Sequence, residues 1–200
     1  VFAKDAQGNL HAVAMVEGGY AHSFGDVNLP WDDYFSNFQK QIRNGYSLQA
    51  EAMGCFAEKF CAGVVVWQKG FDASEDGVSY SATETQDIKY IGPILGAQEY
   101  MGPGLLGVYV SAGFTHFSDK YSSYTRVDDM TFDDRFTRGA FGYLIDLKYH
   151  FCLGNHFMAG PSIGYYGFQV RIGDNGLWSD YKEYLSVNGF VVTASIGARF

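Results

Sequence analysis

The chain has 200 residues, enough for one domain, and carries a formal net charge of −8 with an isoelectric point near 4.9. An acidic balance of this size is unfavourable for binding nucleic acid, so we exclude that class of partner. No run of about 18 apolar residues occurs, so no transmembrane helix is predicted. The high aromatic content (18%) and 25 glycines fit either a soluble all-β protein or a membrane barrel, whose strands average to a neutral hydropathy.

Eight segments alternate between apolar and polar residues with a period of two, which predicts strands. A polar lead-in, residues 1–9, precedes them, and we interpret residues 1–200 as a single domain without a linker. In chain order the predicted strands are Leu10–Phe24, Arg43–Phe56, Phe60–Lys69, Asp87–Tyr100, Leu105–Phe117, Gly139–Cys152, His156–Ile172 and Tyr184–Phe200.

Three places leave the facing of a strand open or predict an irregularity. The run Val64–Trp67 is apolar at successive positions, so the sequence of strand three does not determine which of its faces points inward. Gly92–Pro93 interrupts strand four and predicts a bulge, because proline cannot donate to a sheet ladder. In strand seven we expect the alternation to change face at Gly167.

The two faces of the last strand differ in a way that bears on the fold. One face is wholly apolar and the other is small or polar, ending in Arg199. A soluble sandwich would bury the apolar face, whereas a transmembrane barrel would turn it toward lipid, and this strand alone fits both. The apolar face contains Phe190, Val192, Ala194, Ile196, Ala198 and Phe200.

The links between strands alternate in length, and this rhythm favours the membrane barrel. The short links are Ala57–Lys59, Met101–Gly104 and Leu153–Asn155, and the long ones are Gly25–Ile42, Gly70–Gln86, Ser118–Arg138 and Gly173–Glu183. Within the first long link, Pro30–Ile42 could form a short helix that covers the barrel rim or contacts a partner. We therefore predict an all-β, eight-stranded antiparallel transmembrane up-and-down β-barrel with short periplasmic turns, long extracellular loops and both termini periplasmic.

Three stretches carry a family resemblance: YIGPILGAQEYMG at Tyr90–Gly102, HFMAGPSIGYYGF at His156–Phe168, and ASIGARF at Ala194–Phe200. From Leu10 to Phe200 the chain resembles the small eight-stranded outer-membrane barrels of Gram-negative bacteria, OmpA- and OmpX-like in architecture, and the outer membrane protein β-barrel domain family. The resemblance implies a bacterial outer-membrane location after removal of a signal peptide. It also implies that Phe200 is the signal read by the barrel assembly machinery.

The predicted inward faces carry six ionisable side chains. An eight-stranded barrel is just wide enough for side chains to fill it, and charges there must be paired. We predict a salt-bridge network that closes the lumen, with catalysis or conduction by the same residues as the alternative. The six are Glu17, Glu51, Asp146, Lys148, His150 and Arg199.

A second candidate site lies at the end of strand five, in Thr115–Asp119 (THFSD). It resembles the H-x-S element of PagL-type lipid A deacylases, which would make Ser118 a nucleophile and His116 its base, with Asp128 or Asp129 orienting the imidazole. Asp119 stands where that family has asparagine. The alternative is a histidine at the rim and a serine in a loop.

Two of the three cysteines, Cys55 and Cys61, flank the tight turn around Glu58 and would point the same way on adjacent strands. They are either a disulfide, which the periplasm would permit, or a pair of thiols. The histidines show no metal-ligand spacing, so we expect neither a metal nor a cofactor.

Taken together, these features predict a non-enzymatic integral outer-membrane protein, a structural or accessory subunit of a larger outer-membrane complex whose loops interact at the surface. The alternatives are a PagL-like lipid A deacylase and a narrow, porin-like pore. The expected partners are outer-membrane lipid and lipopolysaccharide, the barrel assembly machinery and other outer-membrane proteins.

Overall fold

The computed structural model describes residues 10–25, 43–57, 59–126, 129–171 and 184–200. The predicted lead-in (residues 1–9), the Pro30–Ile42 helix, the Gly173–Glu183 loop and Asp128 lie outside these residues. Within the described part of the chain, no helix is long and apolar enough to cross a membrane.

Eight antiparallel strands follow one another around a closed barrel, and β1 pairs with β8 to complete the ring. The predicted fold class is confirmed. The strands are β1 Leu10–Gly25, β2 Asn44–Phe56, β3 Phe60–Asp76, β4 Tyr80–Met101, β5 Gly104–Thr125, β6 Met130–Leu153, β7 Phe157–Arg171 and β8 Tyr184–Arg199.

The orientation of the strands puts the apolar face outside. Phe141, Ile145, Val192 and Ile196 are all exposed, whereas Asp146 and Lys148 are buried. In β8 the exposed and buried residues alternate as the sequence predicts. The barrel therefore presents a greasy exterior and encloses polar side chains, which is the reverse of a soluble sandwich.

The carboxyl-terminal residue continues the last strand. Phe200 exchanges two backbone hydrogen bonds with Ala12, with N–O distances of 2.9 and 3.1 Å, and its side chain is exposed on the apolar face. Its role as an assembly signal stays a prediction.

Two irregularities expected from the sequence are absent. The β4–β5 register is the same on both sides of Pro93, with Ile91 opposite Phe114 and Ile94 opposite Ser111. The predicted bulge was wrong: Pro93 faces outward and still lies opposite Val64 on β3, and only Gly92 and Pro93 lack partners on β5. In β7 the predicted change of face at Gly167 was also wrong, since the even-numbered residues stay buried through Val170. Gly167 is buried as well, having no side chain to expose.

Two of the predicted long loops are sheet. β3 runs to Asp76 and β4 begins at Tyr80, so most of Gly70–Gln86 is paired strand, and the same holds for Ser118–Arg138. The loop prediction was wrong because polar side chains such as Glu84, Gln86 and Asp119 also occupy the inward face of these segments, which weakens the alternation that identifies a strand. Past the outward residues Ile91, Phe114 and Phe141, β4, β5 and β6 continue for roughly 35 Å. We call residues 70–76, 80–89, 116–125 and 130–139 the projecting sheet.

Candidate functional site

The centre of the lumen holds one ammonium group among three carboxylates. Lys148 Nζ is ion-paired with Glu17 and Glu51, and it lies 3.6 Å from Asp146 Oδ2. Glu17 and Glu51 lie on the neighbouring strands β1 and β2, and β6 meets these strands only across the lumen, so the contact joins opposite walls. The side chains are at most 2% exposed. We call Glu17, Glu51, Asp146 and Lys148 the lumen cluster.

Neutral side chains on β2, β7 and β8 complete the cluster. Ser162 and Thr193 donate to Glu17 Oε2 at 2.8 and 2.7 Å. Gln49 Nε2 donates to Glu51 Oε1 at 2.7 Å and to Asp146 Oδ2 at 2.9 Å. A buried charge is tolerated when it is paired and hydrogen-bonded. All three acids lie near Lys148 and accept hydrogen bonds, although Glu51 Oε2 has no partner among the described residues.

The structure places the remaining predicted lumen residues differently. His150 is buried on the same strand as Lys148, nearer the short turns, and its Nε2 atom has no hydrogen-bond partner among the described residues. Arg199 stands outside the lumen cluster because it is the last residue of β8, at the rim. There its guanidinium lies 3.4 Å from Tyr100 Oη and 3.2 Å from His11 Nε2.

Sequence reasoning missed Lys69, the second ammonium group of the lumen. Its side chain is buried, and its Nζ atom lies over the rings of Trp67 and Tyr166, 4.2 and 2.7 Å from their centroids. Lys69 was missed because Val64–Trp67 hid the alternation of β3. Cys61 could have indicated it. If Cys61 faces inward opposite Cys55, then every odd-numbered residue of β3, including Lys69, faces inward as well.

Aromatic side chains fill the lumen around Lys69. Trp67 stacks on Tyr90 with ring centroids 5.3 Å apart and meets Tyr166 edge-on at 5.6 Å. At the base of the projecting sheet, Phe117 packs against Phe168 with ring centroids 6.0 Å apart. On the other side of the lumen cluster lie buried Met15, Met53, Leu105 and Met158. Together these side chains occupy the lumen at successive levels along the described part of the barrel.

Cys55 and Cys61 stand directly opposite each other on β2 and β3, both buried and inward, and a disulfide joins them. We predict that alkylation of the unfolded, unreduced protein modifies Cys152 alone, and that reduction exposes two more thiols to the reagent. Replacing both bridged cysteines by alanine should lower the free energy of unfolding by about 2 kcal/mol, the entropy of closing so short a loop. Mass spectrometry of the alkylated peptides gives the answer, and three modified cysteines before reduction would contradict the bond.

His116 and Ser118 lie on the outward face of β5. His116 is exposed, and Ser118 Oγ lies 3.4 Å from Thr137 Oγ1 on β6. Within the described residues no hydrogen bond joins His116 to Ser118. Asp129 accepts instead from Tyr124 at the hairpin tip (2.8 Å), so it does not orient the imidazole. The arrangement therefore lacks the contacts that activate a serine nucleophile.

Of these two residues, His116 borders an outward groove of about 730 Å³ across β4, β5 and β6. The register places Lys89, His116 and Gly139 in one row across the three strands. The next row toward the barrel is Ile91, Phe114 and Phe141, and the rings of Phe114 and Phe141 meet edge-on at 6.3 Å. The groove thus has an apolar floor and a polar upper edge.

The projecting sheet exposes apolar side chains at its tips. Val78 is 96% exposed, Met130 65% and Phe132 57%. Next to Val78, Tyr80 donates a hydrogen bond of 2.6 Å to Glu75 Oε1, which raises the pKa of the Tyr80 phenol. Apart from β5, β6 has no strand partner over residues 130–140 within the described part of the chain. No group of three or more histidine, cysteine or acidic side chains there could hold a metal ion.

These features define a class of protein: a closed up-and-down barrel with an apolar exterior and a charged, filled interior, which is the architecture of outer-membrane β-barrels. No protein-family model and no curated protein matches the chain.

Comparison with solved structures supports the same fold. The chain is similar to Neisserial surface protein A (NspA), with a TM-score of 0.51 and 10% identity over 94% of this chain and 97% of that one. It is also similar to the outer membrane protease OmpT from Escherichia coli, with a TM-score of 0.51 and 9% identity over 100% and 99% of the two chains. At this identity the likeness shows the fold, and the fold is that of an outer-membrane β-barrel.

Proposed function

We propose that the protein is a non-enzymatic, integral protein of the bacterial outer membrane that carries the projecting sheet as a contact surface for a partner protein. In this role it is an accessory subunit of a larger outer-membrane complex. The observation that carries the proposal is the combination of an apolar barrel exterior with a sheet that continues far beyond it.

Membrane insertion follows from the exterior. Exposed Val, Leu, Ile, Phe and Tyr side chains ring the barrel from the short turns up to Ile91, Phe114 and Phe141. So large an apolar surface is unfavourable in water and favourable in hydrocarbon. In a barrel of this class the short turns and both termini face the periplasm, which puts the projecting sheet outside the cell.

The exposed residues at the tips of the projecting sheet support the proposed contact with a partner protein. Val78, Met130 and Phe132 are exposed beyond the membrane, where neither lipid nor the barrel covers them. Exposed apolar groups rimmed by polar ones are typical of protein-binding surfaces. The acids and bases of the projecting sheet, among them Asp133, Asp134 and Arg135, supply the polar rim.

A pair of trimmed variants tests this function. Deleting residues 74–83 and 122–133, each replaced by Asn-Gly, removes both tips but keeps the pairs Ala73–Glu84 and Tyr121–Asp134 as hairpin ends. We expect the trimmed protein to fold in the outer membrane and to lose the proteins that co-purify with the full chain in mild detergent. The matched control is Lys59→Gln, at the other end of the barrel, which keeps the projecting sheet and its exposed tip residues. An unchanged set of co-purified proteins after trimming would overturn the proposal.

We also predict that the barrel does not conduct ions. The lumen cluster, the rings around Lys69 and the Phe117–Phe168 contact fill its cross-section at successive levels. The measurement is single-channel recording in planar bilayers, with folding checked by the different electrophoretic mobility of heated and unheated samples. Reproducible unitary steps would favour the narrow pore instead.

A further inference from the structure

We propose that the groove on the outer face of β4, β5 and β6 binds the phosphorylated headgroup of an anionic glycolipid in the outer leaflet. This inference rests on the membrane placement given under Proposed function, but not on the projecting tips.

The position of the groove fits an amphiphile. Its floor, Ile91, Phe114 and Phe141, is the last apolar row of the barrel exterior, and the row above it contains Lys89 and His116. Apolar and cationic groups therefore meet at the level where acyl chains end and headgroups begin. Gly139 completes the upper row without a side chain, and a Cβ atom added there would meet no atom within 4 Å. The space left by the missing side chain of Gly139 forms part of the groove.

The charges above the groove favour an anion. The outward rows continue as Asp87, Ser118, Thr137 and then Thr85, Lys120, Arg135. Lys89, Lys120 and Arg135 are exposed, and no salt bridge engages them within the described residues. Three cations and one carboxylate thus share these rows, in a chain whose net charge is −8. Lysine and arginine near a membrane surface attract anionic lipid.

The spacing suits more than one phosphate. Lys89 and Lys120 lie two rows apart, about 13 Å along the strands, a distance that two long flexible side chains can share. Between them Thr137 on β6 is partly exposed, and its hydroxyl group is able to donate to a phosphate oxygen. The histidine of the His-x-Ser pair thereby acquires a binding role that needs no nucleophile.

The test is native mass spectrometry of the full-length protein in detergent micelles with increasing diphosphorylated lipid A. Four proteins are compared: wild type, Lys89→Gln/Lys120→Gln, Gly139→Phe and Lys59→Gln. The double variant removes the two ammonium groups, while Gly139→Phe fills the groove and keeps every charge. Lys59 is an exposed lysine in the turn at the other end of the barrel, paired with Glu99 at 3.8 Å, and it serves as the matched control.

We expect wild type and Lys59→Gln to bind alike, and the double variant to bind about tenfold more weakly, since each surface cation contributes a factor of several. Gly139→Phe should weaken binding by a similar factor. Unchanged binding by either groove variant would overturn the inference. So would equal displacement of the lipid by millimolar inorganic phosphate, which would assign the site to free anions. A wild-type protein that stays soluble without detergent would instead refute the membrane placement itself.

Discussion

Replacing Lys148 by methionine is expected to lower the free energy of unfolding by about 3–5 kcal/mol, the usual cost of removing one partner from a buried ion pair. Methionine matches the length of the lysine stem, so little packing volume changes. What changes is charge: Glu17, Glu51 and Asp146 would face one another across the lumen without the ammonium group that joins them. Urea unfolding of the protein in lipid vesicles, followed by tryptophan fluorescence, measures the loss.

A compensated variant separates charge from packing. Adding Glu17→Gln, Glu51→Gln and Asp146→Asn to Lys148→Met removes the carboxylates together with the ammonium, and amides can still hydrogen-bond to Ser162 and Thr193. We expect this variant to recover most of the lost stability, because neutral buried groups carry a much smaller desolvation cost. If Lys148→Met alone stays within about 1 kcal/mol of wild type, the ion pairs do not hold the lumen together.

The barrel was readable from the sequence wherever its two faces meet different surroundings. In β6, Phe141 and Ile145 meet the outside while Asp146 and Lys148 meet the lumen, so the alternation is clear and both assignments were correct. The same contrast identified the closing strand. Side-chain period two records a difference between environments, and where the difference is large the pattern is strong.

The projecting sheet was not predicted, because its two faces meet similar environments and the alternation is therefore weak. Beyond Phe141, both faces of β6 are largely solvated, so charged residues such as Asp134 and Arg135 occur on both faces. Their hydrogen bonds come from the register of β5 and β6, which continues unbroken from the barrel and leaves no mark in local composition. Lys69 escaped for the opposite reason, since apolar residues line both faces of β3 beside it.

The contacts of the lumen cluster could be predicted only in part. The parity of Glu17, Glu51 and Lys148 placed them inside the barrel. Whether they contact one another depends on the level along the barrel axis at which each strand places its side chain. Those levels are fixed by the stagger of all eight strands, a property of the closed barrel rather than of any segment. Arg199 illustrates this. Its parity points inward, but it lies at the end of β8, at the level of the rim and not of the lumen cluster.

Gly63→Ala is expected to cost about 3 kcal/mol, because it places a carbon atom where the neighbouring backbone already lies. A Cβ atom on Gly63 would lie 2.0 Å from the carbonyl oxygen of Ala52 and 2.7 Å from the Cα atom of Met53. Neither contact can be relieved by turning a side chain, so β2 must move away from β3 and weaken the ladder that joins them.

The matched control is Gly54→Ala, in the neighbouring strand, where the added carbon would meet only the Leu10 side chain at 3.5 Å. That variant should be unchanged or more stable by about 0.5–1 kcal/mol, since alanine loses less backbone entropy on folding. Urea unfolding of both proteins in the same vesicles decides the matter: equal midpoints would mean that the two strands are free to separate, and that the close approach at Gly63 does not constrain the barrel wall.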